Sequence, residues 1–158
     1  MRHKIVTFLW FDDNAEEAVR HYMGIFKNSK KLAVSRWGDV GPGPKGSVLT
    51  VTFELEGQQY VALNGGPQFK FTEAVSLMIH CDTQEEIDYY WAKLSEGGEK
   101  SQCGWLKDKF GLSWQVCPRL MMEILEGKDQ ERIDRAMAAM MTMTKFDLAR
   151  IKAAAEGK

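Results

Sequence analysis

The segment Asp13-Asn14-Ala15-Glu16-Glu17-Ala18-Val19-Arg20-His21-Tyr22 recurs 69 positions later as Asp82-Thr83-Gln84-Glu85-Glu86-Ile87-Asp88-Tyr89-Tyr90-Trp91, with Asp, Glu and Glu identical. Each copy follows an apolar, strand-like run, Ile5 to Phe11 or Val75 to Ile79, and each sets Asn or Thr three residues ahead of a glutamate. That is helix-entry chemistry: the small polar side chain accepts a bond from an orphan backbone N–H, and the glutamate reaches back to the cap. Strand, cap and helix repeating in one order point to two copies of a single module. The alternative is chance likeness between two amphipathic helices, since most of the ten positions differ.

Apolar period and turn chemistry extend the repeat. The first half reads as strand Lys4 to Phe11, helix Asn14 to about Phe26, strand Lys31 to Trp37, strand Ser47 to Glu54, a turn at Glu56-Gly57-Gln58 and strand Gln59 to Asn64. The Gly- and Pro-rich stretch Gly38 to Gly46 breaks regular structure and reads as an exposed, disordered hairpin loop or a flap over a pocket. The second half reads as strand Val75 to Cys81, helix Gln84 to Ser95, a stop at Gly97-Gly98, strand Ser101 to Lys107, a turn at Asp108 to Gly111 and strand Leu112 to Cys117. Beyond Pro118 the chain turns helical, with Ile133, Met137, Met140, Met141 and Thr144 at helical spacing and Phe146, Leu148, Ile151 and Ala155 continuing the stripe. Six of the nine methionines lie between Met121 and Met143; this stripe reads as core or subunit interface.

A chain of 158 residues suits one buried domain, here module one at 1–66, module two at 74–118 and a helical extension at 119–158. The 21 basic and 22 acidic residues are scattered, which argues against nucleic acid and anionic membrane as partners. No apolar run approaches the roughly 18 residues of a spanning helix, and no cleavage-site pattern follows Phe11. Cys81, Cys103 and Cys117 form no CxxC pair and leave an odd number, which fits a reducing compartment. A cytoplasmic protein is expected.

Three segments carry a family likeness: Leu63-Asn64-Gly65-Gly66-Pro67, the run Gln102 to Pro118 with Gly104-Trp105-Leu106-Lys107-Asp108 and Ser113-Trp114-Gln115, and Met140 to Asp147. With the paired modules, these resemble the vicinal oxygen chelate superfamily, which includes glyoxalase I, bleomycin resistance proteins and extradiol dioxygenases. Within it they resemble the PhnB-like branch described as 3-demethylubiquinone-9 3-methyltransferase. The resemblance implies an α+β fold of two βαβββ modules forming a curved mixed sheet around a cavity, with C-terminal helices added. It also implies a homodimer.

Metal-dependent members of that superfamily place His or Glu near the start of each module's first strand and on its last strand. Carried over, those places fall on Thr7 and Ser76, on Asn64 or Ala62, and on Gln115. Neutral hydroxyl and amide oxygens hold divalent transition metals weakly, so no metal is expected there. Nor does a glycine-rich turn join a strand to a helix, as common S-adenosylmethionine binding requires. No cofactor is expected.

The polar residues at those places, with His80 and Trp105, form the candidate ligand site: Thr7, Asn64, Ser76, His80, Trp105 and Gln115. By strand parity Thr7, Leu9 and Phe11 share one face with the pocket, while Val6, Phe8 and Trp10 suit a layer of helices. Likewise Ser76, Met78 and His80 oppose Leu77, Ile79 and Cys81. A core in which these polar groups bond one another or buried water is the competing reading. His80 is the weak candidate for proton transfer; His3 lies at the chain start and His21 on a helix. Cys103 and Cys117 lack a helix N-terminus or cation to activate them and read as packing. Trp105 reads as a ligand contact and Trp114 as core.

Two functional classes follow. One is a metal-independent binder of an aromatic or amphipathic small molecule. The other is an enzyme on a quinone-like or other small substrate, either of the family's described methyltransferase type or of a metal-dependent glyoxalase or dioxygenase type. A regulatory subunit with a vestigial cavity is a third reading.

Overall fold

A computed structural model describes residues 4–158; His3 lies outside the described residues. The elements are β1 (Thr7–Phe11), α1 (Ala15–Ile25), β2 (Ser29–Arg36), β3 (Val48–Leu55), β4 (Gln58–Asn64), β5 (Ser76–Cys81), α2 (Gln84–Ser95), β6 (Glu99–Lys100), β7 (Trp105–Lys107), β8 (Ser113–Pro118), α3 (Arg119–Leu125), α4 (Gln130–Met140) and α5 (Leu148–Ala155). Two βαβββ modules therefore follow one another, as the internal repeat requires. The chain divides into two compact units, one ending at Lys70 and the other spanning Phe71–Lys158.

In the first unit the strand order is β1-β4-β3-β2, with β1 parallel to β4 and the other pairs antiparallel. Helix α1 buries Ala15, Ala18, Val19, Tyr22 and Ile25. Tyr22 stacks on Phe53, and Phe53 stacks on Tyr60 with ring centroids 5.4 Å apart. The β3–β4 hairpin closes through Glu56 and Gly57 at φ 47° and 81°. Two left-handed residues in a two-residue loop match the twist of the strands they join. Gln58, expected in the turn, already pairs with Leu55.

The faces of β1 are the reverse of the expected ones. Leu9 and Phe11 are buried and Phe8 is 58% exposed. The ladder sets Leu9 beside Ala62 and Ala62 beside Val51, and these three share the α1 side with Phe53. Both faces of β1 are apolar, so a period of two separates them without saying which one a helix covers.

The stretch Gly38 to Gly46 is built rather than disordered. Trp37 N–H donates to Ser47 O at 2.9 Å and Gly46 N–H to Trp37 O at 2.8 Å, closing its base. The Trp37 indole lies so close over Gly41 and Gly43 that neither has room for a Cβ.

In the second unit the order is β5-β8-β7-β6, with β5 parallel to β8. Helix α2 packs Ile87, Trp91 and Leu94 into a core with Leu106, Trp114 and Val116. Its entry has the expected chemistry: Thr83 Oγ1 accepts from Glu86 N–H at 3.2 Å, and Glu86 Oε2 accepts from Asp82 N–H at 2.6 Å. The first copy departs from it, because Asn14 makes no side-chain cap bond. The duplicated sequence is thus capped locally in one module only.

Of the strand expected from Ser101 to Lys107 only β7 is formed; a turn with Cys103 at φ 55° and Gly104 at φ 77° separates it from the short β6, which precedes Ser101. The backbone N–H groups of those two residues donate to Met143 O (2.9 Å) and Thr144 O (2.8 Å). A partner some 40 residues along the chain fixes this turn, and no local pattern carries that information.

The C-terminal stripe is likewise interrupted. Met121, Met143, Phe146, Ile151 and Ala155 are buried, Met137 and Met140 are half-buried, and Met141 is 65% exposed. The chain leaves helix after Met140 and re-enters at Leu148, so one helical period cannot run through. Asp129 and Asp147 cap α4 and α5 by accepting from Arg132 and Arg150 N–H, each at 3.0 Å. No helix among the described residues is long and apolar enough to cross a membrane.

Candidate functional site

The β5–β8–β7 ladder decides which side chains share the face opposite α2. Ser76 pairs with Ser113, Met78 with Gln115 and His80 with Cys117, while Trp105 pairs with Gln115 and Lys107 with Ser113. Laterally paired residues point to the same side, so Ser76, Met78, His80, Trp105, Lys107, Ser113 and Gln115 occupy one surface. Leu77, Ile79 and Cys81 occupy the other with Trp114 and Val116. This agrees with the parity read for β5, and Trp114 is core at 2% exposure.

On this face Gln115 Nε2 donates to Ser76 Oγ at 2.9 Å. Trp105 and Gln115 are half-buried, and Met78 is 36% exposed. His80 is exposed and no carboxylate is bonded to it among the described residues, so it lacks the orienting group of a general base. Four of the six candidate residues, Ser76, His80, Trp105 and Gln115, therefore share a surface of the second unit.

Thr7 and Asn64 belong to the first unit. Both are in register with the α1 side of the first sheet. Asn64 Oδ1 accepts from Ala15 N–H at 2.8 Å and its Nδ2 donates to Val48 O at 3.0 Å, so the amide anchors the helix entry. The face of the first sheet away from α1 carries Phe8, Trp10, Leu63, Thr50 and Thr52. Trp10 is a residue the sequence reading assigned to the helix layer. Its Nε1 donates to Gly66 O at 2.9 Å, and its ring meets the Phe69 edge at 4.9 Å. The alternation Val6, Phe8, Trp10 carried the signal but not its direction.

A cleft of about 540 Å³ opens at the β6–β7 end of the second unit, lined among others by Glu73, Glu99, Cys103, Trp105, Lys107 and Ser113. Lys107 Nζ lies 2.5 Å from Glu73 Oε1 and 4.0 Å from Glu99 Oε2. The hydrogen bond that Lys107 donates to Glu73 holds the Glu73 carboxyl below its ordinary range and raises the Lys107 ammonium above its own. The Gly-Trp-Leu-Lys-Asp and Ser-Trp-Gln segments meet where β7 pairs with β8, and both contribute to the cleft wall. Asp108, 2% exposed, accepts at Oδ1 from Phe110 and Leu112 N–H (2.8 and 3.1 Å) and at Oδ2 from Trp114 Nε1 (2.9 Å). Within these segments Asp108 and Trp114 hold the β7–β8 turn, whereas Trp105, Lys107, Ser113 and Gln115 stand on the face opposite α2.

The two buried thiols, Cys81 and Cys117, are not set up for nucleophilic attack. Burial pushes Cys81 up to about 12 and Cys117 up to about 11. Among the described residues no group of three or more His, Cys, Asp or Glu is placed to hold a metal ion. A glycine cradle for a nucleotide-like cofactor is absent from the strand-to-helix turns too: β1 reaches α1 through Asp12-Asp13-Asn14 and β5 reaches α2 through Asp82-Thr83. The residues present do not fit such a cradle.

The family described as 3-demethylubiquinone-9 3-methyltransferase matches residues 3–117. The chain belongs to this family. The PhnB protein of Bacillus cereus, which carries the same description, is 38% identical, with 73% of this chain and 99% of that one covered and a TM-score of 0.67. The fosfomycin resistance protein FosX of Listeria monocytogenes, solved with Mn(II) and sulfate, is 16% identical, with 85% and 98% covered and a TM-score of 0.52. FosX of Mesorhizobium loti is 13% identical, with 85% and 99% covered and a TM-score of 0.53. At that identity the FosX likeness establishes the glyoxalase/bleomycin resistance fold alone. Membership of this PhnB-like family places the chain in the vicinal oxygen chelate superfamily. No curated protein matches the chain.

Proposed function

We propose that this protein binds a small aromatic or amphipathic molecule without a metal, on the face of its second sheet that carries Ser76, Met78, Trp105 and Gln115. The observation that carries the reading is the Gln115–Ser76 hydrogen bond beside the half-buried Trp105. A paired amide and hydroxyl next to an indole plane and a thioether offer a few directional polar contacts in apolar surroundings, the usual composition of a small-molecule site. Neutral oxygens at these positions give a divalent metal no compensating charge. The methyl-transfer chemistry in the family's description receives no support from the strand-to-helix turns, which lack glycine.

The test is native mass spectrometry of untagged protein from its own host, read with elemental analysis. The expected result is a recovered organic compound with no stoichiometric metal, lost in Gln115→Ala and Trp105→Ala. Stoichiometric zinc, nickel, manganese or iron that disappears with substitution of Ser76 and Gln115 overturns the reading.

A further inference from the structure

Ser113 is 1% exposed, yet its hydroxyl has no hydrogen-bond partner among the described residues. Burying an unpaired hydroxyl is unfavourable, and native proteins keep few such groups. Ser113 is not remote from solvent space: it lines the 540 Å³ cleft together with Trp105 and Lys107. In register it sits opposite Lys107 and beside Ser76, on the ligand-facing side of the sheet. A half-buried indole and an unsatisfied hydroxyl thus share the wall of one cleft.

Charge restricts the occupant. The cleft wall holds two lysines: Lys100 is in register with Leu106, on the face away from Ser113, and Lys107, in register with Ser113, is already matched by Glu73 at 2.5 Å with Glu99 at 4.0 Å. An anionic ligand must displace Glu73 to gain Lys107, and it then faces two carboxylates; a cationic one competes with Lys107 for them. An uncharged molecule meets neither penalty. The serine hydroxyl can donate or accept, so it suits a hydroxyl or a carbonyl equally.

We infer that the cleft takes a flat, uncharged aromatic molecule bearing one hydrogen-bonding oxygen, with the ring against Trp105 and the oxygen bonded to Ser113 Oγ. This rests on the proposed small-molecule function and adds to it the ligand class and the residue that selects it. Ser113 is a specificity residue here: an aromatic without the oxygen leaves the hydroxyl unpaired, and one with it does not.

The probes are 2-naphthol, 2-methylnaphthalene and 2-naphthoate, titrated into isotope-labelled full-length protein and followed by two-dimensional amide and indole NMR. The expected result is saturable shifts at the Trp105 indole and the Ser113 amide, tightest for 2-naphthol. Ser113→Ala should weaken 2-naphthol about fivefold, the loss of one hydrogen bond, and leave 2-methylnaphthalene unchanged. The same variant should melt no lower than the parent, since it removes an unpaired buried hydroxyl; Ser113→Cys provides a second variant of near-equal shape. Equal 2-naphthol affinity in parent and both variants overturns the role of Ser113, as does tighter binding of 2-naphthoate. If 2-naphthol shifts Ser76, Gln115 and Trp105 but not Ser113, the inference fails while the proposed function stands. If none of the probes shifts any of these residues, the inference fails, and recovery of no compound in native mass spectrometry removes the function as well.

Discussion

Asn64, the last residue of β4, caps α1 from 49 positions away, its Oδ1 accepting from Ala15 N–H at 2.8 Å. Its Nδ2 simultaneously holds Val48 O at 3.0 Å, tying the helix entry to two strands. Asn64→Ala leaves a helix-terminal donor and a strand-end carbonyl short of a partner and should cost about 1–3 kcal/mol. Asn14→Ala, at the position that precedes the helix but makes no cap bond, should cost about 0.5 kcal/mol or less. Urea denaturation of the two variants checks the contrast; equal losses would show that the cap is local after all.

Asp108 holds three donors with one buried carboxylate. Asp108→Ala strands the Phe110, Leu112 and Trp114 N–H groups in a region where Asp108 itself is 2% exposed. A loss of about 3 kcal/mol or more is expected, since each donor to a charged acceptor is worth more than one to a neutral acceptor. Asp108→Asn keeps the shape but presents an NH2 to donors and should recover only part of the loss. The readout is the unfolding midpoint, with Trp114 fluorescence reporting on the turn; a variant as stable as the parent would remove Asp108 from the structural account.

The cysteines should separate by reactivity. Burial raises Cys81 to about 12 and Cys117 to about 11, against the ordinary value of 9.0. A thiol whose folded value is raised favours the native state most at pH below 9 and loses that contribution as pH rises through 11 to 12, where the unfolded chain already binds fewer protons. At pH 8 native protein should therefore label with a disulfide reagent at Cys103, which is half-buried in the β6–β7 turn, before Cys81 or Cys117. Peptide mapping identifies the order. Rapid labelling of Cys117 under native conditions would contradict the burial argument.

Much of the architecture was legible because it rests on local chemistry. The repeat predicted two modules; Thr83 and Glu86 predicted the α2 entry; Gln84 to Ser95 matches that helix end to end. The Glu56-Gly57 turn followed from Gly57, which takes left-handed backbone freely, while the positive φ of Glu56 has no counterpart in its side-chain chemistry. On the second sheet, where one face of β5 is polar, parity separated Ser76 and His80 from Cys81 correctly.

What only the tertiary structure decided concerns partners remote in sequence. Phe8 and Trp10 are as apolar as Leu9 and Phe11, so nothing local said which side α1 would cover; β4 and β3 settled it by supplying Ala62, Val51 and Phe53 on one side. Asn64, a polar residue in a strand, gave no sign in the sequence of its bond from Ala15 N–H at 2.8 Å. The β6–β7 turn depended on carbonyls of Met143 and Thr144. Ser113, unremarkable in a strand pattern, stood out only when the folded chain buried its hydroxyl and left it unpaired. By itself the sequence determined the elements and their order, because caps, turns and apolar period act within a few residues. Faces, caps from afar and unpaired groups depend on what the rest of the chain brings alongside, and that is a property of packing.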